Sequence, residues 1–306
     1  MLFDLTSVTD EVLTLTPLQG LGIPVALVGA VFLALGAQFQ HRGVAKVEQR
    51  IGSASRGLDR RQLLALLTRP SWVLGTLMLA LAIVLQLISL TLAPLIVVQP
   101  LGAVALVITA IVNSRVTKVR LDRMTIRAIA LCVGGVAIFV TIAAFTAREE
   151  PITNGQLITV LVILGIVLVL AGVFSTLLRK NGVQAIVYII GAGLLYGFVA
   201  TLAKVVINRI LSNNFEILTV VCIVALVAAT VLGAYFVQNA YSTGPPDLVI
   251  AGLTVIDPLV AVGIGIVVLG EAAGAPLFAI IAFVVAGAIA IYGVFQLAKH
   301  HPQARA

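Results

Sequence analysis

The sequence predicts an all-α polytopic membrane protein with nine transmembrane helices, its N-terminus outside and its C-terminus inside. Three observations carry that expectation. Hydrophobic residues fill 61% of the 306 positions and charged ones only 10%, where a soluble domain has roughly 25% charged, and mean hydropathy is +1.18. The apolar residues are gathered into nine runs, each near the ~20 residues that cross a bilayer core of about 30 Å. Sixteen of the nineteen Lys and Arg fall in alternate connecting segments, the bias that orients membrane helices. A water-soluble enzyme, a disordered chain and a DNA-binding domain are all excluded by this composition. The net charge of +7 reflects basic inner loops, so nucleic acid is not an expected partner and membrane lipids are.

The runs follow in order. The first, Leu18–Gln40, comes after a segment that has no Lys or Arg and carries Asp4, Asp10 and Glu11. It is too long for a signal-peptide core and is expected to stay in the protein. Residues 1–17 then lie outside. The longest loop, Arg42 to Arg69, carries Leu63, Leu64, Leu66 and Leu67 behind Arg60 and Arg61, which suggests a helix lying on the membrane surface. Next come Ser71–Leu92, Pro94–Asn113 and Met124–Phe145, with Arg115, Lys118, Arg120, Arg123 and Arg127 inside between the last two. Gln156–Leu178 and Val183–Ile207 are joined by an inner turn with Arg179 and Lys180. Phe215–Ala240, Pro246–Leu269 and Pro276–Leu297 complete the set, leaving 298–306 as an inner tail. Residues 18–297 thus read as a single transmembrane domain. Cys132 and Cys222 sit inside apolar runs, so neither a disulfide framework nor a zinc site is expected. No cofactor is implied.

The chain also resembles itself. Val97-Val98-Gln99-Pro100-Leu101 of the third run matches Val255-Ile256-Asp257-Pro258-Leu259 of the eighth, 158 residues later. Gly134-Gly135-Val136-Ala137-Ile138 of the fourth matches Ala286-Gly287-Ala288-Ile289-Ala290 of the ninth, at 152, as do Gln86 and Gln238. Runs two to four therefore correspond to runs seven to nine. Corresponding runs are five apart, an odd number, so the two units (about 18–145 and about 156–297) cross the membrane in opposite directions. The first run could pair with either the fifth or the sixth.

The stretches APLIVVQPLGAVALVITAIVNSR (93–115) and DPLVAVGIGIVVLGE (257–271) resemble the Pro-containing helix of the drug/metabolite transporter (EamA-like) superfamily. That helix ends in a Gly-Glu pair, matched here by Gly270-Glu271, while the first half has Val112-Asn113 in its place. Nine spans resemble the NIPA-like magnesium-transporter branch, in which the first repeat lacks one helix. The resemblance implies a transporter fold and leaves the cargo open among metabolites, amino acids, nucleotide sugars, drugs and cations.

Asp257 is the most informative residue. It lies about eleven residues into the eighth run, near the bilayer midplane, where a carboxylate costs about 2.5–3.5 kcal/mol on insertion scales. Pro258 cannot donate to the Thr254 carbonyl. Carboxylate, Thr254 hydroxyl and loosened carbonyl together suit a cation or a proton, the alternative being a protonated acid that only bonds a neighbouring helix. Gln99-Pro100 is the counterpart in the first unit, and both Pro100 and Pro258 are expected to break their helices. Lys204 lies roughly 13 Å from the middle of the sixth run, either binding or gating, or else snorkelling to the interface. Gln86 and Gln238 are further amide candidates, while Gln38, Gln40 and Asn239 lie near run ends. Tyr196 and Tyr235 could line a cavity or pack. Gly193 and Gly197 suit close helix contact, and Glu271 should cap or end a helix outside.

No Asp-Asp pair, HExxH, Ser-His combination or phosphate-binding loop occurs in the chain, so an enzyme is not expected. The expectation is a secondary transporter in a bacterial plasma membrane. It would move a small molecule by alternating access, coupled to protons or cations through Asp257. Divalent-cation transport of the NIPA-like kind, with Asp257 as the metal ligand, is one alternative. A non-transporting scaffold or accessory subunit is the other. Oligomeric state is left open, a homodimer included.

Overall fold

The computed structural model describes residues 17–51, 66–117, 122–148, 151–177, 184–243 and 246–299. Among them there is no strand, and nine helical spans are long and apolar enough to cross a membrane. The helices are α1 (Pro17–Ile51), α2 (Pro70–Leu92), α3 (Leu95–Leu101), α4 (Ala103–Thr117) and α5 (Arg123–Thr146). They continue with α6 (Asn154–Leu177), α7 (Gln184–Leu211), α8 (Ile217–Thr243), α9 (Pro246–Val267) and α10 (Leu277–Lys299). This is a multi-pass membrane protein. Its outer faces carry side chains such as Leu77, Val169, Val231 and Val284, each more than 60% exposed, a surface that water would not tolerate and lipid solvates.

Local chemistry sets the helix ends. Pro70 occupies the first turn of α2, where its missing N–H costs nothing. Asp122 caps α5 by accepting from the Thr125 amide at 2.8 Å. Thr153 and Gln156 form a reciprocal cap, with Gln156 Oε1 taking the Thr153 main-chain amide at 2.8 Å and Thr153 Oγ1 taking the Gln156 main-chain amide at 3.3 Å. That cap starts α6 at Asn154, two residues ahead of the predicted run.

Three sequence expectations need correction. The first run does not end at Gln40: α1 continues to Ile51 over 35 residues, about 52 Å at 1.5 Å per residue. Val44-Ala45-Lys46-Val47-Glu48-Gln49-Arg50 has no Gly or Pro to stop a helix, and hydropathy marks only the part that sits in lipid. The third run is not one helix. It divides at Gly102, whose amide bonds the Gln99 carbonyl at 3.1 Å, between α3 and α4. Pro258, in contrast, breaks nothing: it lies inside α9, which runs unbroken from Pro246 to Val267. A proline removes one backbone bond, and the chain parts only where a glycine follows Pro100 two residues on. The surface helix expected around Arg60, Arg61, Leu63 and Leu64 lies outside the described residues.

Packing is by close backbone approach, as expected where lipid removes the hydrophobic drive between helices. α1 packs along α2, α7 along α8, α5 along α10 and α7 against α9, while α3 crosses α9 and α1 also meets α3 and α4. α6 leans on α7. At the α5–α10 crossing, a Cβ on Gly293 would stand 2.4 Å from the Cys132 amide nitrogen, and one on Gly135 2.6 Å from that of Ala290. No side chain fits there. Ser89 ties α2 to α1 by donating to the Gly22 carbonyl at 2.8 Å.

Candidate functional site

A cavity of about 770 Å³ lies where α1, α2, the α3–α4 junction, α7 and α9 converge, with Tyr241 of α8 also on its wall. Its polar lining is Gln86, Gln99, Tyr196, Tyr241, Thr254 and Asp257. The volume falls within the ~300–1,000 Å³ typical of small-molecule sites. Asp257 is brought here by the α7–α9 contact. A Cβ on Gly193 would sit 2.6 Å from Ile256 Cβ, and one on Gly197 2.6 Å from Val260 Cβ. The two glycines therefore let Ile256 and Val260 press onto α7. Asp257, one residue along from Ile256, falls at the edge of that seam, beside the cavity.

Asp257 Oδ1 is buried and has no hydrogen-bond partner. The Thr254 hydroxyl donates to the Ile250 carbonyl at 2.8 Å, so its proton is taken and its oxygen remains an acceptor. Pro258 leaves the Thr254 carbonyl without its helical donor. The local set is thus acceptor-rich: a carboxylate, a hydroxyl oxygen and a main-chain oxygen within one turn. Gln99 is buried and Gln86 half-buried, on the first-half side of the same space. A second, apolar cavity of about 110 Å³ is bordered by both Pro100 and Pro258, with Thr254 and Pro258 common to the two.

Two residues singled out from the sequence lie elsewhere. Gln238 is exposed on α8 and does not line the cavity. Lys204 is 2% exposed and has turned to another acid altogether. Its Nζ meets Glu271 Oε1 at 3.1 Å and the Ala93 carbonyl at 3.3 Å. Glu271 completes the cluster by accepting the Leu95 amide on Oε1 and the Ile96 amide on Oε2, both at 2.9 Å. It does cap a helix, but the helix is α3, 175 residues away in sequence. A carboxylate at a helix N-terminus meets unpaired amides and the positive end of the dipole. Gly265 makes room for it, since a Cβ there would lie 2.7 Å from Glu271 Oε2. Gly270, at φ +75°, takes the left-handed conformation that turns the chain back toward the cluster. The Glu271 main chain is held as well: its amide donates to the Gly265 carbonyl and its own carbonyl accepts from Arg148, both at 2.9 Å.

Sequence reasoning missed Tyr241, whose place on the wall depends on how α8 and α9 approach. It also missed the Lys204–Glu271 pair, for which only the Gly270-Glu271 dipeptide offered a hint. Tyr235, offered as a possible lining residue, is 56% exposed and stacks edge-on with Phe236 instead, at 6.0 Å between ring centroids. Among the described residues, no group of three or more His, Cys, Asp and Glu is gathered as a metal site.

Comparison with known proteins finds no matching family model and no matching solved structure. An uncharacterized protein of Corynebacterium glutamicum is 27% identical over 256 residues, which make up 82% of this chain and 85% of that protein. The similarity extends over most of both chains and carries no assigned activity.

Proposed function

We propose that this chain is a secondary transporter that moves a small molecule by alternating access of two inverted halves, coupled through Asp257. The observation that carries the proposal is the large cavity between the halves with a buried, unpartnered carboxylate oxygen on its wall. Buried ionisable groups in a membrane are costly, and they mark transport paths and proton relays. With no nucleotide motif in the chain, the driving energy would come from an ion gradient.

The helix pairings support the inverted repeat. α1 with α2 has its counterpart in α7 with α8, and α1 against α3 and α4 in α7 against α9. α5 with α10, and α3 with α9, pair across the halves, as elements beside a two-fold axis in the membrane plane would. On this matching the first span corresponds to the sixth and α6 has no counterpart. Orientation follows the basic loops: N-terminus outside, C-terminus inside, in a bacterial plasma membrane. The pairings are also lopsided, since α2 packs on α7 whereas α1 and α8 make no comparable contact. With the Lys204–Glu271 cluster at the outer end and Tyr241 at the inner end of α8, this conformation is taken as closed outside. The drug/metabolite transporter resemblance points to the same mechanism. Divalent-cation transport is less favoured, because the cavity wall offers a single carboxylate, and magnesium is held through one or two carboxylates with its waters in near-octahedral geometry.

The test is proton movement in proteoliposomes read with a pH dye, wild type against Asp257→Asn, under a panel of metabolites and of magnesium. A solute-triggered pH change that the variant loses is the expected result. Magnesium flux without a pH change would move the assignment to the cation branch. Equal silence from two equally folded proteins would favour a scaffold.

A further inference from the structure

We propose that the ligand of the central cavity is an amphiphilic amine, a small molecule with one ammonium head and an apolar body. This rests on the transporter assignment above and narrows its substrate class.

The charge on the wall decides the sign. Asp257 is its sole acidic side chain, and no Lys, Arg or His lines it among the described residues. Lys204, a buried cation next in sequence to the lining residue Ala203, is held by Glu271 and the Ala93 carbonyl. A phosphate or carboxylate entering here would find an acid beside it and no counterion on the wall. A cation would meet the buried Oδ1, which has no other partner. Charge-assisted hydrogen bonds of this kind are roughly twice as strong as neutral ones.

The remaining wall sets the shape. Apart from the six polar residues, the lining is apolar or glycine, contributed by residues such as Ala30, Leu33, Leu90 and Leu253. A polyol or sugar would leave most of its hydroxyls unpaired against such a surface, at a cost for each one. A bare or hydrated divalent ion would need several oxygens around it, and a single carboxylate supplies two. An ammonium needs about three acceptors for its N–H groups. Asp257 with the Thr254 hydroxyl and carbonyl oxygens offers such a set within one turn of α9, and Gln86 and Gln99 line the same cavity. Tyr196 and Tyr241 add aromatic rings to the wall, and ring faces attract cations. The cavity therefore suits a ligand polar at one end and greasy over the rest.

The experiment uses the full-length protein in detergent with radiolabelled 4-phenylbutylamine. Unlabelled 4-phenylbutanol, 4-phenylbutyrate and magnesium chloride serve as competitors that share its skeleton or its charge. The same probe is then used for uptake by proteoliposomes. Saturable amine binding is expected, with no displacement by the alcohol, the acid or magnesium at tenfold higher concentration. Asp257→Asn should weaken the amine about tenfold or more, the worth of a charge-assisted bond, and Asp257→Glu should regain part of it. Gln99→Leu serves as a second variant, with a few-fold loss expected. Displacement by the acid or the alcohol as strong as by the amine itself would overturn the proposal. So would equal amine binding by a folded Asp257→Asn protein. If another solute moves in an Asp257-dependent way while the amine does not bind, the substrate class is wrong and the transporter assignment stands. If the amine binds through Asp257 but is never taken up, the ligand class stands and the transporter assignment falls.

Discussion

Asp257 and Glu271 stand fourteen residues apart in one stretch of chain, and the fold treats them in opposite ways. Glu271 is saturated: two main-chain amides and the Lys204 ammonium converge on its two oxygens within 3.1 Å. Asp257 keeps a buried oxygen with no partner. A carboxylate satisfied by protein groups is a fastening, because its interactions are spent on holding helices together. One left unsatisfied beside a cavity has its strongest interaction in reserve for something that arrives. The cost of burying each acid is similar, so the difference lies in what surrounds it.

The largest expected effect comes from breaking the fastening. Glu271→Ala leaves a buried ammonium and two helix-end amides without their acceptor, and such losses cost about 3–5 kcal/mol. Thermal unfolding in detergent should show a marked fall in Tm. Combining it with Lys204→Met should recover part of that loss, since the orphaned charge is then gone; a strictly additive double variant would deny the coupling. Asp257→Asn gives the opposite pattern. Its Tm should match or slightly exceed wild type, because an uncharged amide is easier to bury than a carboxylate, while transport is lost and amine binding weakens about tenfold or more. A large drop in its Tm would mean that Asp257 is structural after all, and the contrast would collapse. Smallest of all is Gln238→Leu, exposed on α8 and off the cavity wall. It should change stability by less than about 0.5 kcal/mol, as surface substitutions do, and leave amine binding unchanged. A clear binding defect there would show that α8 reaches the site in another conformation.

Much of the helix layout was legible in the sequence. Apart from the inner end of the first, the nine spans found among the described residues fall within a few residues of their predicted bounds, because a lipid-crossing helix needs a long apolar run whatever its neighbours do. The errors cluster where lipid is not the deciding environment. α1 runs on past Gln40 because helix propensity, not hydropathy, governs the chain beyond the membrane. The third span parts at Gly102 and α9 holds through Pro258, although both contain the same proline motif. A lost backbone bond is tolerated or not according to the next residues and the packing around them.

For the candidate site, sequence pattern located residues without relating them. Asp257, Thr254, Gln99 and Gln86 could each be picked out as polar groups in apolar runs, and the structure brings all four to one cavity. Lys204 could be picked out in the same way, yet it pairs with a glutamate 67 residues on, and Gln238 faces outward. Nothing local distinguishes these fates.

By itself, then, the sequence determined the solvent, the spans and the short list of polar groups inside them. Those follow from composition and run length, which depend only on each segment's contact with lipid. Which acid is fastened and which is left open was decided by tertiary structure alone. That outcome depends on whether a helix end, a cation or an empty space lies within about 3 Å of a carboxylate, and chain positions 67 to 176 residues apart meet only when the helices pack.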